Sequence, residues 1–286
     1  MSLRISPEST IQNRRRVEAR RRVLQGLVAS TALALVPRSH AALPPTPATG
    51  LVAERVRING RRGDFELYRA APQRSGRYPV ILVLHEQEGL NAYIEDVCRR
   101  LARLGVLAIA PDLLSRQPNL AKLADDFWMD DCDAAIEWAR GSGNADPART
   151  VVTGFGWGGR GVWLYCAHNR QLRAGISWYG LLGGTPNAYQ PKRPEDVVTT
   201  LYCPVLAFFG GFDQQISASD VGRLRKQLRD ATANQGKDSA AARSKVLVLP
   251  EARHGFHADH RPSYRAKEAQ LAWDGMISWI QANAGP

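Results

Sequence analysis

In this chain of 286 residues, the positions whose types and spacing could do chemistry are Gly154-Phe155-Gly156-Trp157-Gly158, Asp213 and His254. The glycine run joins an apolar segment, Thr150–Thr153, to a helix-like one from about Gly158 to His168. A strand–turn–helix of the form G-x-nucleophile-x-G lifts one side chain above a sheet for attack on a carbonyl. Such an elbow needs an acid after a later strand and a histidine after the last one, because a base oriented by an acid must take the nucleophile's proton. Phe208-Phe209-Gly210-Gly211-Phe212-Asp213 and Ala252-Arg253-His254-Gly255-Phe256 supply both, in that order. A histidine–aspartate pair alone is as readily a buried hydrogen-bonded pair without chemical use. Three features after the correct strands are far more specific than any one of them.

The same glycines also match G-x-G-x-x-G through Gly154, Gly156 and Gly159, the turn that cradles a dinucleotide. That motif needs an acid about 20 positions on to hold the ribose. The neighbourhood is Ser177-Trp178-Tyr179-Gly180, and no Asp or Glu precedes Glu195. A dinucleotide-dependent oxidoreductase is therefore disfavoured, and no cofactor is expected. His254, His257 and His260 would drift apart around a helix, and no acid completes a ligand set, so no metal is expected. Cys98, Cys132, Cys166 and Cys203 sit in apolar or helix-like surroundings and read as buried thiols, without a CxxC pair.

The elements that must position these residues can be read from hydrophobic periodicity. Glu54–Ile58 and Phe65–Arg69 alternate and flank Asn59-Gly60, which reads as an antiparallel hairpin. Pro79–His85 is a continuous apolar run, as in a strand covered on both faces. Ala92–Leu104 has helical spacing and is closed by Gly105; Val106–Ala110 is a second buried strand. A helix over about 124–140, the strand and helix around the glycine turn, and a strand at Ala174–Tyr179 follow. Then come a strand at Pro204–Phe209, a helix over 218–231, the strand Lys245–Leu249 and a final helix from Tyr264 to Ala282. Strand–helix alternation of this length predicts a mostly parallel sheet with helices on both faces, in one α/β domain over 51–286.

With these motifs in place the chain resembles the dienelactone hydrolases (carboxymethylenebutenolidases), of the α/β-hydrolase fold. The resemblance runs from about Pro79 to Trp279. It also rests on Leu84-His85-Glu86-Gln87-Glu88-Gly89-Leu90-Asn91, Ala110-Pro111-Asp112-Leu113 and His254-Gly255-Phe256. It implies cleavage of a small-molecule ester or lactone, with Asp213 orienting His254 and Glu86 paired with an elbow cysteine. The backbone N–H groups of Trp157 and Gln87 would bind the oxyanion. Where that family has its cysteine, this chain has Gly156, so no acyl-enzyme can form there. Cys166 is about 15 Å along the helix and cannot substitute. The arginine that the family places four residues past the histidine is Ala258 here.

Two expectations stay open. One is a hydrolase in which Asp213–His254 activates a bound water; the parts of a triad other than its nucleophile retain about 10³–10⁴-fold catalysis over water. The other is a catalytically silent exported binder that uses the old pocket, flanked by Trp157 and Phe212. The net charge of +11 suggests nucleic acid, but eight arginines against two glutamates in residues 1–41 account for +6 of it, so no nucleic-acid partner is expected. Arg20-Arg21-Arg22 before the apolar run Gly26–Val36 resembles a twin-arginine signal, with Ser39-His40-Ala41 as its cleavage site. Residues 1–41 are thus read as a signal peptide and 42–50 as a spacer. The expected location is the bacterial periplasm or beyond, with no membrane span after cleavage.

Overall fold

The computed structural model describes residues 43–285. The leader read in residues 1–41 lies outside the described residues. Strand β1 (Leu51–Ile58) pairs antiparallel with β2 (Phe65–Pro72), from Leu51 opposite Pro72 to Ile58 opposite Phe65. The alternating segments do form the expected hairpin, closed by residues 59–64. It joins the sheet through β2, which runs antiparallel to β4 (Leu107–Pro111). The remaining neighbours are parallel: β3 (Tyr78–Leu84), β5 (Ala145–Phe155), β6 (Leu172–Trp178), β7 (Val205–Gly210) and β8 (Lys245–Leu249). The sheet order is β1-β2-β4-β3-β5-β6-β7-β8.

Helices α1 (Ala92–Arg103), α2 (Asp125–Gly141), α3 (Trp157–His168), α4 (Ala218–Gln235), α5 (Ala240–Arg243) and α6 (Ala266–Ala284) cover the two faces. The layering explains the continuous apolar runs: Val80 to Leu84 of β3 are completely buried, as a strand between two helical layers must be. Asn91 caps α1, its side chain accepting from the Ile94 N–H at 3.1 Å, and Gly105 takes the left-handed conformation after it. Cys98, Cys132, Cys166 and Cys203 are buried free thiols. No helix among the described residues is long and apolar enough to cross a membrane.

The functional consequence lies in the register. Leu84 pairs with Gly154, Phe155 with Trp178, Trp178 with Phe208, and Gly210 with Leu249. Parallel strands in this alignment end on one edge of the sheet. The loops carrying Glu86, Gly156, Asp213 and His254 therefore open together, at the edge where open α/β sheets place their ligands.

Candidate active site

At the elbow the chain turns from β5 into α3 in a single residue. Gly156 has φ 52° and ψ −112°, and its N–H donates to the Trp178 carbonyl at 3.0 Å. α3 is poor in helix formers, with Gly158, Gly159 and Gly161 in its first turns, and it exists because packing demands it. A Cβ on Gly158 would stand 2.5 Å from the carbonyl oxygens of Leu84 and His85, and one on Gly159 would stand 2.6 Å from Gly180 Cα. Close approach of helix to strand is thus written in glycine.

Asp213 and His254 meet as expected. His254 Nδ1 lies 2.9 Å from Asp213 Oδ2, and the Asp213 side chain is wholly buried. Asp213 Oδ1 accepts from the N–H groups of Gln215 at 2.8 Å and Ile216 at 3.0 Å. Those two donors fix the carboxylate, which in turn fixes the imidazole ring, so the other ring nitrogen, Nε2, is left for chemistry.

Glu86 reaches the elbow from the end of β3. A Cβ on Gly156 would stand 3.5 Å from Glu86 Cγ, an ordinary contact. Glu86 Oε2 forms an ion pair with Arg261, which also holds Glu88 Oε1 at 3.0 Å. Burial pushes the Glu86 carboxyl above its usual range, and the Arg261 guanidinium pulls back in part. His85 orders the same loop: its Nδ1–H donates to the Glu86 carbonyl at 2.7 Å and its Nε2 accepts from Leu113 N–H at 3.0 Å. That pattern requires a neutral ring, and burial lowers the His85 pKa accordingly. The backbone N–H groups of Trp157 and Gln87 carry no hydrogen bond among the described residues.

Several participants were not foreseen from sequence. Arg261 lies seven residues past His254, three beyond the expected position, where Ala258 is buried. Tyr179 follows β6, with its ring edge-on to His254 at a centroid separation of 5.1 Å. Its place at the end of a parallel strand is the signal that could have marked it. His257 Nδ1 shares a 2.6 Å hydrogen bond with the Tyr93 hydroxyl and its ring stacks on Trp273, while His254 is engaged with Asp213. Among the described residues no three His, Cys, Asp or Glu side chains cluster as metal ligands. Trp157 lines a cavity of about 360 Å³ with Leu120, Leu181, Pro186 and Gln190. Phe212 is 58% exposed and is not among the residues lining that cavity.

The comparisons with known proteins place the chain in a family. The family model "Dienelactone hydrolase family" matches residues 65–284. The chain belongs to the dienelactone hydrolase family. A relative in Methylorubrum extorquens, named "Putative carboxymethylenebutenolidase", is 41% identical over 273 residues, covering 91% of each chain. A relative of the same name in Escherichia coli K12 is 38% identical over 255 residues, covering 84% of this chain and 90% of its own. A crystal structure described as "Putative Dienelactone Hydrolase" from Klebsiella pneumoniae superposes with a TM-score of 0.75 at 36% identity, covering 80% of this chain and 98% of the other. The family acts on ester and lactone bonds, and the α/β-hydrolase architecture expected from the sequence is the one present.

Proposed function

We propose that this dienelactone hydrolase family member cleaves a small-molecule ester or lactone by direct attack of water, with His254 as general base. The observation that carries the reading is the Asp213–His254 pair at 2.9 Å, its carboxylate anchored by two backbone N–H donors. Glycine at the elbow offers no nucleophile, so the attacking atom must come from solvent. His254 Nε2 takes one proton from the water as its oxygen bonds to the carbonyl carbon. The oxyanion gathers at the N–H groups of Trp157 and Gln87, which have no other duty in the fold. Collapse breaks the bond to the leaving oxygen, which receives the proton back from His254. The cavity of about 360 Å³ whose wall includes Trp157 is assigned to the acyl or alcohol portion.

The test compares the protein as it stands with Gly156→Cys and His254→Ala on a panel of activated esters and lactones. Turnover by the unaltered protein, lost in His254→Ala, is expected. Turnover by the cysteine variant alone would overturn the water route and favour a ligand-binding role. Export belongs to the same reading and rests on Arg20–Arg22 and the apolar run 26–36. Cell fractionation that leaves the protein in the bacterial cytoplasm would refute it.

A further inference from the structure

Tyr179 stands out on three independent counts. Among the described residues it is the single non-glycine with a left-handed backbone, at φ 38°. Strain of that kind persists where surrounding structure imposes it, often at functional sites. The imposing contact is visible: the Tyr179 N–H donates to the Phe208 carbonyl at 2.7 Å, locking the end of β6 to β7. Its ring is completely buried between His254 and Phe256, at centroid separations of 5.1 and 5.4 Å. Its hydroxyl lies beside the Glu86 carboxylate and the Tyr93 hydroxyl, yet makes no well-aligned hydrogen bond to either.

The second orphan is Glu86 Oε1, buried and unpaired although its sister oxygen holds Arg261. Burial first, then the Glu86 carboxylate and Tyr93, raise the Tyr179 phenol pKa well above its ordinary value, and the phenol and carboxylate stand within reach of one another. Unpaired polar atoms this deeply buried are uncommon in native proteins, and a bridging water is the usual resolution. Gly156 is the third wall. The side-chain room there lies directly against Glu86, with Cγ, Cδ and Cβ at 3.5, 3.7 and 3.8 Å from the position a Cβ would take.

We infer that Glu86 Oε1 and the Tyr179 hydroxyl together hold the attacking water beside Gly156, which makes Tyr179 a catalytic residue. The inference rests on the water route of the previous subsection. The bookkeeping of bonds closes: the water gives one hydrogen to His254 Nε2 and directs the other at Glu86 Oε1. It accepts from the Tyr179 hydroxyl with one lone pair and attacks the carbonyl carbon with the other. The proton on His254 then leaves with the departing alcohol, and no other reactant is needed.

Tyr179→Phe keeps the ring and removes only the oxygen. With p-nitrophenyl acetate as probe, kcat should fall at least tenfold with KM within twofold. In the Gly156→Cys background a thiol attacks instead of water, so the same change should alter the acylation burst rate less than threefold. An unchanged kcat, or an equal loss in both backgrounds, overturns the inference while leaving His254-dependent hydrolysis intact. A crystal structure with ordered solvent gives a readout that does not need turnover. A water within about 3.2 Å of both oxygens is expected, and none there overturns the inference. A water present in a protein without any hydrolysis overturns both the route and the role assigned to Tyr179.

Discussion

Gly156 and Glu86 face each other at a distance that fits a side chain: a Cβ on the glycine would meet Glu86 Cγ at 3.5 Å. Two residues on, the same atom on Gly158 would meet main-chain oxygens at 2.5 Å. Packing therefore compels glycine at 158 and leaves it optional at 156. What resists substitution at 156 is the backbone, whose φ of 52° costs an L-residue about 1–3 kcal/mol.

Gly156→Cys should therefore fold, with Tm lower by a few degrees, and carry one reactive thiol at the elbow. The four native cysteines are buried, so iodoacetamide should label the variant once and the parent protein not at all. The variant should also show a burst of p-nitrophenol equal to the enzyme concentration. Gly156→Ala fills the same room without a nucleophile and should fall below the parent in turnover. An alanine variant as active as the parent would show that the attacking atom does not sit there.

Asp213→Asn should separate orientation from stability. The amide oxygen can keep the N–H groups of Gln215 and Ile216, but its NH₂ then faces His254 Nδ1. That forces the tautomer with hydrogen on Nε2 and removes the base. kcat should fall by at least about a hundredfold, within the roughly 10⁴ seen for such a change in a full triad, while Tm barely moves. Nitrogen-15 chemical shifts of His254 report the tautomer directly. A large loss of Tm with the original tautomer would contradict this account.

Arg160, one turn past the elbow, makes a buried two-pronged pair with Asp125, both contacts 2.8 Å, and donates to the Lys192 carbonyl at 2.7 Å. Asp125 also accepts from Trp128 Nε1 at 3.1 Å. The arginine thus ties α2 and the segment bearing Lys192 to the elbow helix. Arg160→Met should cost about 3–5 kcal/mol, because it strands the Asp125 charge in the interior. Urea unfolding measures this, and Arg160→Met with Asp125→Leu should recover part of the loss. No recovery would mean that the main-chain contact to Lys192 dominates.

The sequence carried the strands, their order and the Asp213–His254 pair, since apolar periodicity and strand-end motifs are local signals. α4 and β5 both extend beyond the segments that periodicity marked, Ala218–Ala231 and Thr150–Thr153, because their outer turns and ends are polar and half-exposed. What stayed hidden depends on contacts across the sheet edge. Arg261 reaches Glu86 across 175 positions of chain, and no spacing rule predicts it. Tyr179 looked like one more apolar strand residue until its φ and its orphaned hydroxyl were visible. His257 belonged to an apparent histidine triplet, and only packing shows that it faces the core instead.

That buried histidine sets a pH limit on the fold. His257 stands among Phe155, Trp178 and Trp273, shares a hydrogen bond with the Tyr93 hydroxyl, and feels the Arg100 cation, itself paired with Asp96 and Asp259. Burial first, then Arg100, lowers its pKa from 6.5 to about 3. Because the folded-state pKa is the lower one, the unfolded chain binds the extra proton anywhere between those values. Stability is therefore fully present above about pH 6.5 and drains away as pH falls toward 3, by up to about 1.4 kcal/mol per pH unit. His85, buried and lowered as well, acts in the same direction. His257→Gln keeps a hydrogen-bonding group beside Tyr93 but cannot titrate, so its unfolding free energy in urea should fall less steeply between pH 6 and 4.5, by about 1 kcal/mol per pH unit. Parallel pH profiles for the two proteins would show that His257 is not held neutral by the core.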